Sequence, residues 1–194
     1  LDYLVVDRVV VPPEHSRYYS ESLLVLPPSY QVSYYTRHVS AALSEQFSSI
    51  GALDTNLFDP AVLTRVKMSL RKASGLPHTD PGLVVYCNFN KIDKFDRLTF
   101  DVWLSVLRRV PNSILWLLEP GPRKDLVTGQ ASQQTNLTMR HIQAAAAGGG
   151  VDPARIFFAD RASKSGHLER QLAADLFLDT FGYGAHSTAT DALR

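Results

Sequence analysis

Six short apolar runs, at residues 3–6, 23–26, 83–87, 114–118, 155–158 and 176–178, are mostly aliphatic or aromatic, and most have Pro, Gly or Asp close by. Such runs predict buried strands. Between the later ones the period lengthens: Phe100, Trp103, Leu104 and Leu107 recur at i, i+3, i+4 and i+7, and the pattern stops before Val110-Pro111. That spacing predicts an amphipathic helix. A second helix is expected over 136–147, ended by Gly148-Gly149-Gly150, because glycine takes a left-handed cap at least cost. Others are expected over 60–73, over 163–174 and from about His186.

From residue 83 onward strands and helices alternate four times, which predicts an α/β fold, a Rossmann-like parallel sheet with right-handed crossovers and flanking helices. Ligands of such sheets sit at the carboxyl ends of the strands. The first 82 residues are less regular and include a Tyr- and Ser-rich stretch at 29–49. The expected organisation is therefore an amino-terminal segment, 1–82, followed by the sheet-forming lobe, 83–194. Pro120, Gly121, Pro122 and Gly129 mark 119–130 as an exposed loop.

Composition narrows the classes. With 194 residues, 45% hydrophobic and 20% charged, the chain has too much apolar matter for a disordered polypeptide. Twenty basic and nineteen acidic side chains leave a net charge of +1, so no whole-chain field holds nucleic acid or an anionic membrane, and any anion site is local. No apolar run approaches the roughly 20 residues needed to cross a bilayer, and the amino terminus lacks the apolar core of a signal peptide. A single cysteine, Cys87, forms no internal disulfide, in keeping with a reducing compartment. The first residue is Leu1 and the last, Arg194, falls inside a helical pattern. The expectation is a piece of a longer protein, truncated at its carboxyl end and of marginal stability.

Three strand ends carry polar residues that packing does not require. After the strand at 83–87 comes Asn88-Phe89-Asn90-Lys91-Ile92-Asp93-Lys94, where Lys91 or Lys94 could neutralise a phosphate; the alternative is a solvated turn. After 155–158, Ala162 and the capping residue Ser163 lead into Lys164, His167 and Arg170. These cations stand at a helix end whose dipole favours anions. At i, i+3 and i+6 they share one broad side and could meet a ligand with phosphate and planar base groups, or simply form a solvated basic face. After 176–178, the segment from Asp179 to Asp191 places Gly182, Gly184, His186, Ser187 and Thr188 between strand and helix. It could cradle a diphosphate or be a generic turn. In a parallel sheet the three ends converge, which favours a nucleotide diphosphate. Neither a Walker loop nor G-x-G-x-x-G is present, nor the G-x-S-x-G of a hydrolase. Metal is the weaker idea: there is no His/Cys cluster with ligand spacing and no D-x-D pair.

At these residues the chain resembles a family. Asp2-Tyr3-Leu4-Val5-Val6-Asp7 with Tyr19-Ser20-Glu21 and Leu26-Pro27, Tyr86-Cys87-Asn88-Phe89-Asn90 with Lys94, Val110-Pro111-Asn112-Ser113 with Leu115-Trp116-Leu117-Leu118, Arg155-Ile156, and Leu176 to Thr180 with His186 and Asp191 are similar to the C-terminal catalytic region of the O-linked N-acetylglucosamine transferases, glycosyltransferase family 41. The resemblance implies the donor-binding lobe of a two-lobed GT-B enzyme that moves N-acetylglucosamine with inversion from UDP-GlcNAc to Ser or Thr of proteins. It implies no metal or other cofactor, and with the near-zero net charge no nucleic-acid or membrane partner is expected. The parent would be cytoplasmic or nuclear, carrying tetratricopeptide repeats and an amino-terminal catalytic lobe.

Residue by residue, Lys94 matches the lysine that contacts the diphosphate and stabilises the leaving group. Ala162, through its backbone, and Arg170 match positions that hold the uracil, and His167 the position that packs on the base. Lys164 and Asp191 match those at the ribose; His186, Ser187 and Thr188 match the turn at the diphosphate and sugar, with Ser187 in place of threonine. Lys91 stands where mammalian-type enzymes have a glutamine near the phosphates and adds a cation there. The stretch 29–59 is far shorter than the intervening domain of animal enzymes, which points to a plant, algal, protist or bacterial type. Beside this stand a Spindly-type protein O-fucosyltransferase using a GDP-sugar, a bacterial relative that transfers glucose to asparagine, and a non-catalytic nucleotide-sugar-binding module. The isolated fragment is expected to be inactive.

Overall fold

The computed structural model describes residues 1–27, 29–31, 59–121 and 134–193. The chain divides into two compact units, Leu1–Thr36 and Arg37–Arg194. In the first, β1 (Tyr3–Val6) and β2 (Ser22–Val25) pair in parallel and are joined through a short 3-10 helix, Pro13–Tyr18. The buried Asp7 carboxylate organises the turn after β1, accepting from the Val9, Val10 and Tyr30 amides at 2.8–2.9 Å. Most of the Tyr- and Ser-rich stretch and of the expected loop lies outside the described residues.

The second unit is the expected parallel α/β layer. Its elements are α1 (Pro60–Ala73), β3 (Val84–Asn88), α2 (Arg97–Arg109), β4 (Ser113–Leu118), α3 (Gln134–Gly148), β5 (Ile156–Ala159), α4 (Lys164–Gln171), β6 (Leu176–Phe177) and α5 (Ser187–Ala192). The strands form one parallel sheet in the order β5-β4-β3-β6. Alternation on the strands divides the core. Val85, Cys87 and Phe89 with Ile114 and Trp116 face one side, where Val62, Val66 and Leu70 of α1 pack. Tyr86, Leu115 and Leu117 face the other, against Phe100, Trp103, Leu104 and Leu107 of α2 and Ile142 and Ala146 of α3. A parallel sheet covered on both faces needs apolar residues at successive positions, which is why the strands read as continuous apolar runs. Helix α1 precedes residue 83 yet shares a compact unit with the residues that follow it.

Several boundaries move from their expected places for identifiable reasons. Arg155 belongs to a 3-10 turn before β5. Its guanidinium donates to the carbonyls of Leu107, Val110 and Ser113, closing the open end of α2 onto the start of β4. Of the glycines at the end of α3, Gly148 is its last residue and Gly150 takes the left-handed conformation, φ 74°, with Val151 donating to the Ala146 carbonyl behind it. Arg71, one of the most buried side chains, donates to the Leu83 and Ala173 carbonyls and to Asp175, which also holds Lys67 and the Val85 amide. This network ties α1 to the amino-terminal ends of β3 and β6. No described helix is long and apolar enough to cross a membrane.

Candidate functional site

From β3 the sheet grows outward through β4 to β5, and the chain then returns to place β6 on the other side of β3. The reversal leaves a crevice at the carboxyl ends of β3 and β6, the position at which open α/β sheets bind ligands. Asn88 shapes it: its side-chain amide donates to the Leu178 carbonyl at 2.6 Å and its oxygen accepts from the Asn90 amide at 3.0 Å. The loop after β3 then makes a 3-10 turn, Ile92–Lys94, with Lys91 exposed at its cap. Lys94 reaches across to the loop after β6, where Nζ donates to the Gly184 carbonyl at 3.3 Å and lies 4.2 Å from the Tyr183 ring centroid.

A cavity of about 390 Å³ opens nearby, lined by Leu118 at the end of β4, by Arg161, Ala162, Lys164, His167 and Arg170 after β5, and by Ser187, Thr188 and Asp191 on α5. Ser163 caps α4, accepting from the Gly166 amide, and so sets Lys164, His167 and Arg170 on the cavity side. Lys164 is answered by Asp191, with Nζ 2.6 Å from Oδ2. Arg170 turns back to the Asp160 carbonyl and donates to His167 Nδ1 at 2.9 Å, with its guanidinium 4.9 Å over the Phe89 ring. Because Nδ1 accepts, the neutral imidazole carries its proton on Nε2, 3.7 Å from Asp191 Oδ2. Burial, with the charges of Arg170 and Lys164, outweighs the pull of Asp191 and pushes His167 down to about 4. It is therefore an uncharged ring at neutral pH, suited to lie on a planar base. The other Asp191 oxygen, Oδ1, is buried without a hydrogen-bond partner.

The structure thus brings Ala162, Lys164, His167, Arg170, Ser187, Thr188 and Asp191 around one cavity. Lys94 and His186 lie outside its lining, at the turn beside it: His186 is the residue before α5, with its ring 5.8 Å from that of Tyr183. Lys91 is on neither. Arg161 also lines the cavity without a sequence motif to mark it beyond its place directly before Ala162; its guanidinium fills the space that a Cβ on Gly121 would need. Asn90, which the sequence places in the strand-end run without a role, is buried with both side-chain polar atoms unpartnered. Among the described residues no group of three or more His, Cys, Asp or Glu could hold a metal.

Fold and site define a parallel α/β lobe whose carboxyl edge gathers cations, hydroxyls and a neutral imidazole. The profile of glycosyl transferase family 41 matches residues 53–194, and the chain belongs to that family. It is 32% identical over 193 residues to a probable UDP-N-acetylglucosamine-peptide N-acetylglucosaminyltransferase of Arabidopsis thaliana, covering 100% of this chain and 16% of that protein. A Caenorhabditis elegans UDP-N-acetylglucosamine-peptide N-acetylglucosaminyltransferase is 36% identical over 110 residues, 57% of this chain and 8% of the relative. Among solved structures, a mutant of the O-GlcNAc transferase of Thermobaculum terrenum superposes with a TM-score of 0.63 at 21% identity, over 100% of this chain and 28% of that one. The chain therefore spans a small part of the relatives it matches.

Proposed function

We propose that this chain is the donor-binding lobe of an inverting protein O-GlcNAc transferase. In this reading it holds UDP-GlcNAc while a Ser or Thr hydroxyl of an acceptor protein attacks the anomeric carbon. A new C–O bond forms, the bond from the sugar to the diphosphate breaks with its electron pair leaving on UDP, and the hydroxyl proton departs to a base or to solvent. The observation that carries the reading is the cavity itself, where Ala162, Lys164, His167, Arg170, Ser187, Thr188 and Asp191 meet at the carboxyl edge of the sheet.

The neutral His167 ring packs on the uracil, with Arg170 and the Ala162 backbone beside it. Lys164 and Asp191 hold the ribose, whose hydroxyls supply the donor that Asp191 Oδ1 lacks. His186, Ser187 and Thr188 meet the diphosphate and sugar, and Lys91 adds a cation at the phosphates. Lys94 faces the leaving diphosphate, where a fixed ammonium stabilises the charge that develops on bond cleavage and supplies in place the charge that a metal would otherwise bring. The acceptor is aligned by an amino-terminal lobe and tetratricopeptide repeats elsewhere in a cytoplasmic or nuclear parent.

Calorimetric titration of this chain with UDP, UDP-GlcNAc and GDP-fucose tests the reading. Uridine-selective binding weakened by both Lys94→Ala and His186→Ala is expected. Guanine-selective binding would assign the parent to protein O-fucosylation, and no binding by a folded chain would sink the donor-lobe reading.

A further inference from the structure

We propose that Tyr183 is a positioning residue: its ring and the Gly184 carbonyl form a receptor that holds the Lys94 ammonium at the β3–β6 crevice before an anionic ligand arrives. The proposal rests on the reading of Lys94 as the group that meets the diphosphate, and gives that lysine a partner.

The receptor is built from the turn upward. Asp179 accepts from the Thr180 amide at 2.8 Å and from the Ala185 amide at 2.9 and 3.1 Å, so its carboxylate spans both ends of the turn. The buried Thr180 hydroxyl donates to the Tyr183 carbonyl at 2.7 Å. These bonds fix the backbone on which Tyr183 and Gly184 sit. Lys94 arrives from a loop about ninety residues earlier and meets two groups of that turn at once, the ring at 4.2 Å from its centroid and the Gly184 oxygen at 3.3 Å. The first distance lies within the roughly 6 Å over which a cation is attracted to an aromatic face. Tyr183 itself is 57% exposed, so core packing does not account for its ring, which besides the ammonium meets that of His186 edge-on at 5.8 Å.

A free lysine side chain samples many rotamers, and fixing one on binding costs conformational entropy. A lysine already seated has given up part of that freedom. The ammonium has three donor protons, and the Gly184 carbonyl uses one, so capacity remains for phosphate oxygens.

The test uses the full chain as wild type, Tyr183→Phe, Tyr183→Leu and Lys94→Met, each checked for a native circular-dichroism melt. Without ligand, ε-13C-labelled lysine spectra locate the Lys94 signal by its loss in Lys94→Met. Ring-current displacement of that signal is expected in wild type and Tyr183→Phe and its disappearance in Tyr183→Leu. With UDP, Tyr183→Leu should bind about two- to five-fold more weakly and Tyr183→Phe within about two-fold of wild type. Uridine affinity should not change, and in the Lys94→Met background the Tyr183→Leu effect should vanish.

An undisplaced Lys94 signal in wild type overturns the seating. Equal losses in the Phe and Leu variants, or a Tyr183→Leu effect that survives Lys94→Met, overturn the positioning role. If the wild-type chain binds no UDP, the donor reading and the pre-setting for diphosphate fall together, while the Lys94 spectrum still decides whether Tyr183 holds the lysine.

Discussion

Asp191→Asn separates a ligand-binding carboxylate from a structural one. The side chain is 4% exposed, its Oδ2 takes Lys164, and its Oδ1 has no partner. Loss of the charge removes an ion pair whose lysine is 43% exposed and can rehydrate, so the pair contributes about 1 kcal/mol or less. Against this, an unpartnered buried polar atom costs about 1–3 kcal/mol, and an amide is cheaper to bury than a carboxylate. The two changes nearly offset. Stability should move by no more than about 1 kcal/mol, which for a chain of this size is a melting shift of about 2–4 °C. Binding should behave otherwise. A hydroxyl donating to a carboxylate is worth about 1.5–3 kcal/mol, so UDP affinity should fall roughly 10- to 150-fold. Scanning calorimetry and titration on the same samples give both numbers. A 2′,3′-dideoxy nucleotide should bind wild type about as weakly as UDP binds the variant. A variant destabilised by more than about 3 kcal/mol with UDP affinity intact would make Asp191 a structural residue.

Arg71→Met leaves the Leu83 and Ala173 carbonyls and part of Asp175 without their donor. It should cost about 3–5 kcal/mol in urea denaturation, and a loss under 1 kcal/mol would show that the network is dispensable. Burial raises the Asp175 carboxyl, yet the Lys67 bond, the Val85 amide and the Arg71 charge together hold it below its ordinary 3.8. A depressed carboxyl stabilises the fold above its unfolded value and loses that contribution as pH falls through the folded one. The urea midpoint should therefore drop below about pH 4, by less in Asp175→Asn; an identical acid slope in the variant would count against it. Burial also pushes the Cys87 thiol up to about 12, so alkylation at pH 8 should track global unfolding. Rapid labelling of the native chain would contradict that.

Sequence periodicity reached the local parts of this fold. Phe100, Trp103, Leu104 and Leu107 are all buried on one side of α2, because a 3.6-residue repeat maps directly onto a helix face. The runs of β3, β4 and β5 were visible because a sheet covered on both faces tolerates few polar positions, whereas β1, β2 and β6, also expected as buried strands, leave most of their residues exposed or half-exposed. Strand order was not legible, since the placement of β6 beside β3 depends on which edge is open and no local pattern records it. Arg71 and Arg155 look in the sequence like solvated helix and loop cations, and only the fold shows their guanidiniums filling backbone acceptors. The cationic start of α4, unfavourable by its helix dipole alone, is balanced by Asp191, 27 residues further on. The Tyr183 contact with Lys94 is longer in range still, so neither residue's neighbours announce it.

If the cavity between α4 and α5 takes the nucleotide, UDP will shift the amide resonances that line it in the labelled chain. The expected response is concentrated at residues 161–170 and 187–191, with Lys94 and Gly184 at its margin. A second cavity of about 440 Å³, between α2 and α3 and lined by Phe100, Ile142 and Gly149, provides the contrast. Shifts confined to those residues, with 161–170 silent, would place the nucleotide elsewhere.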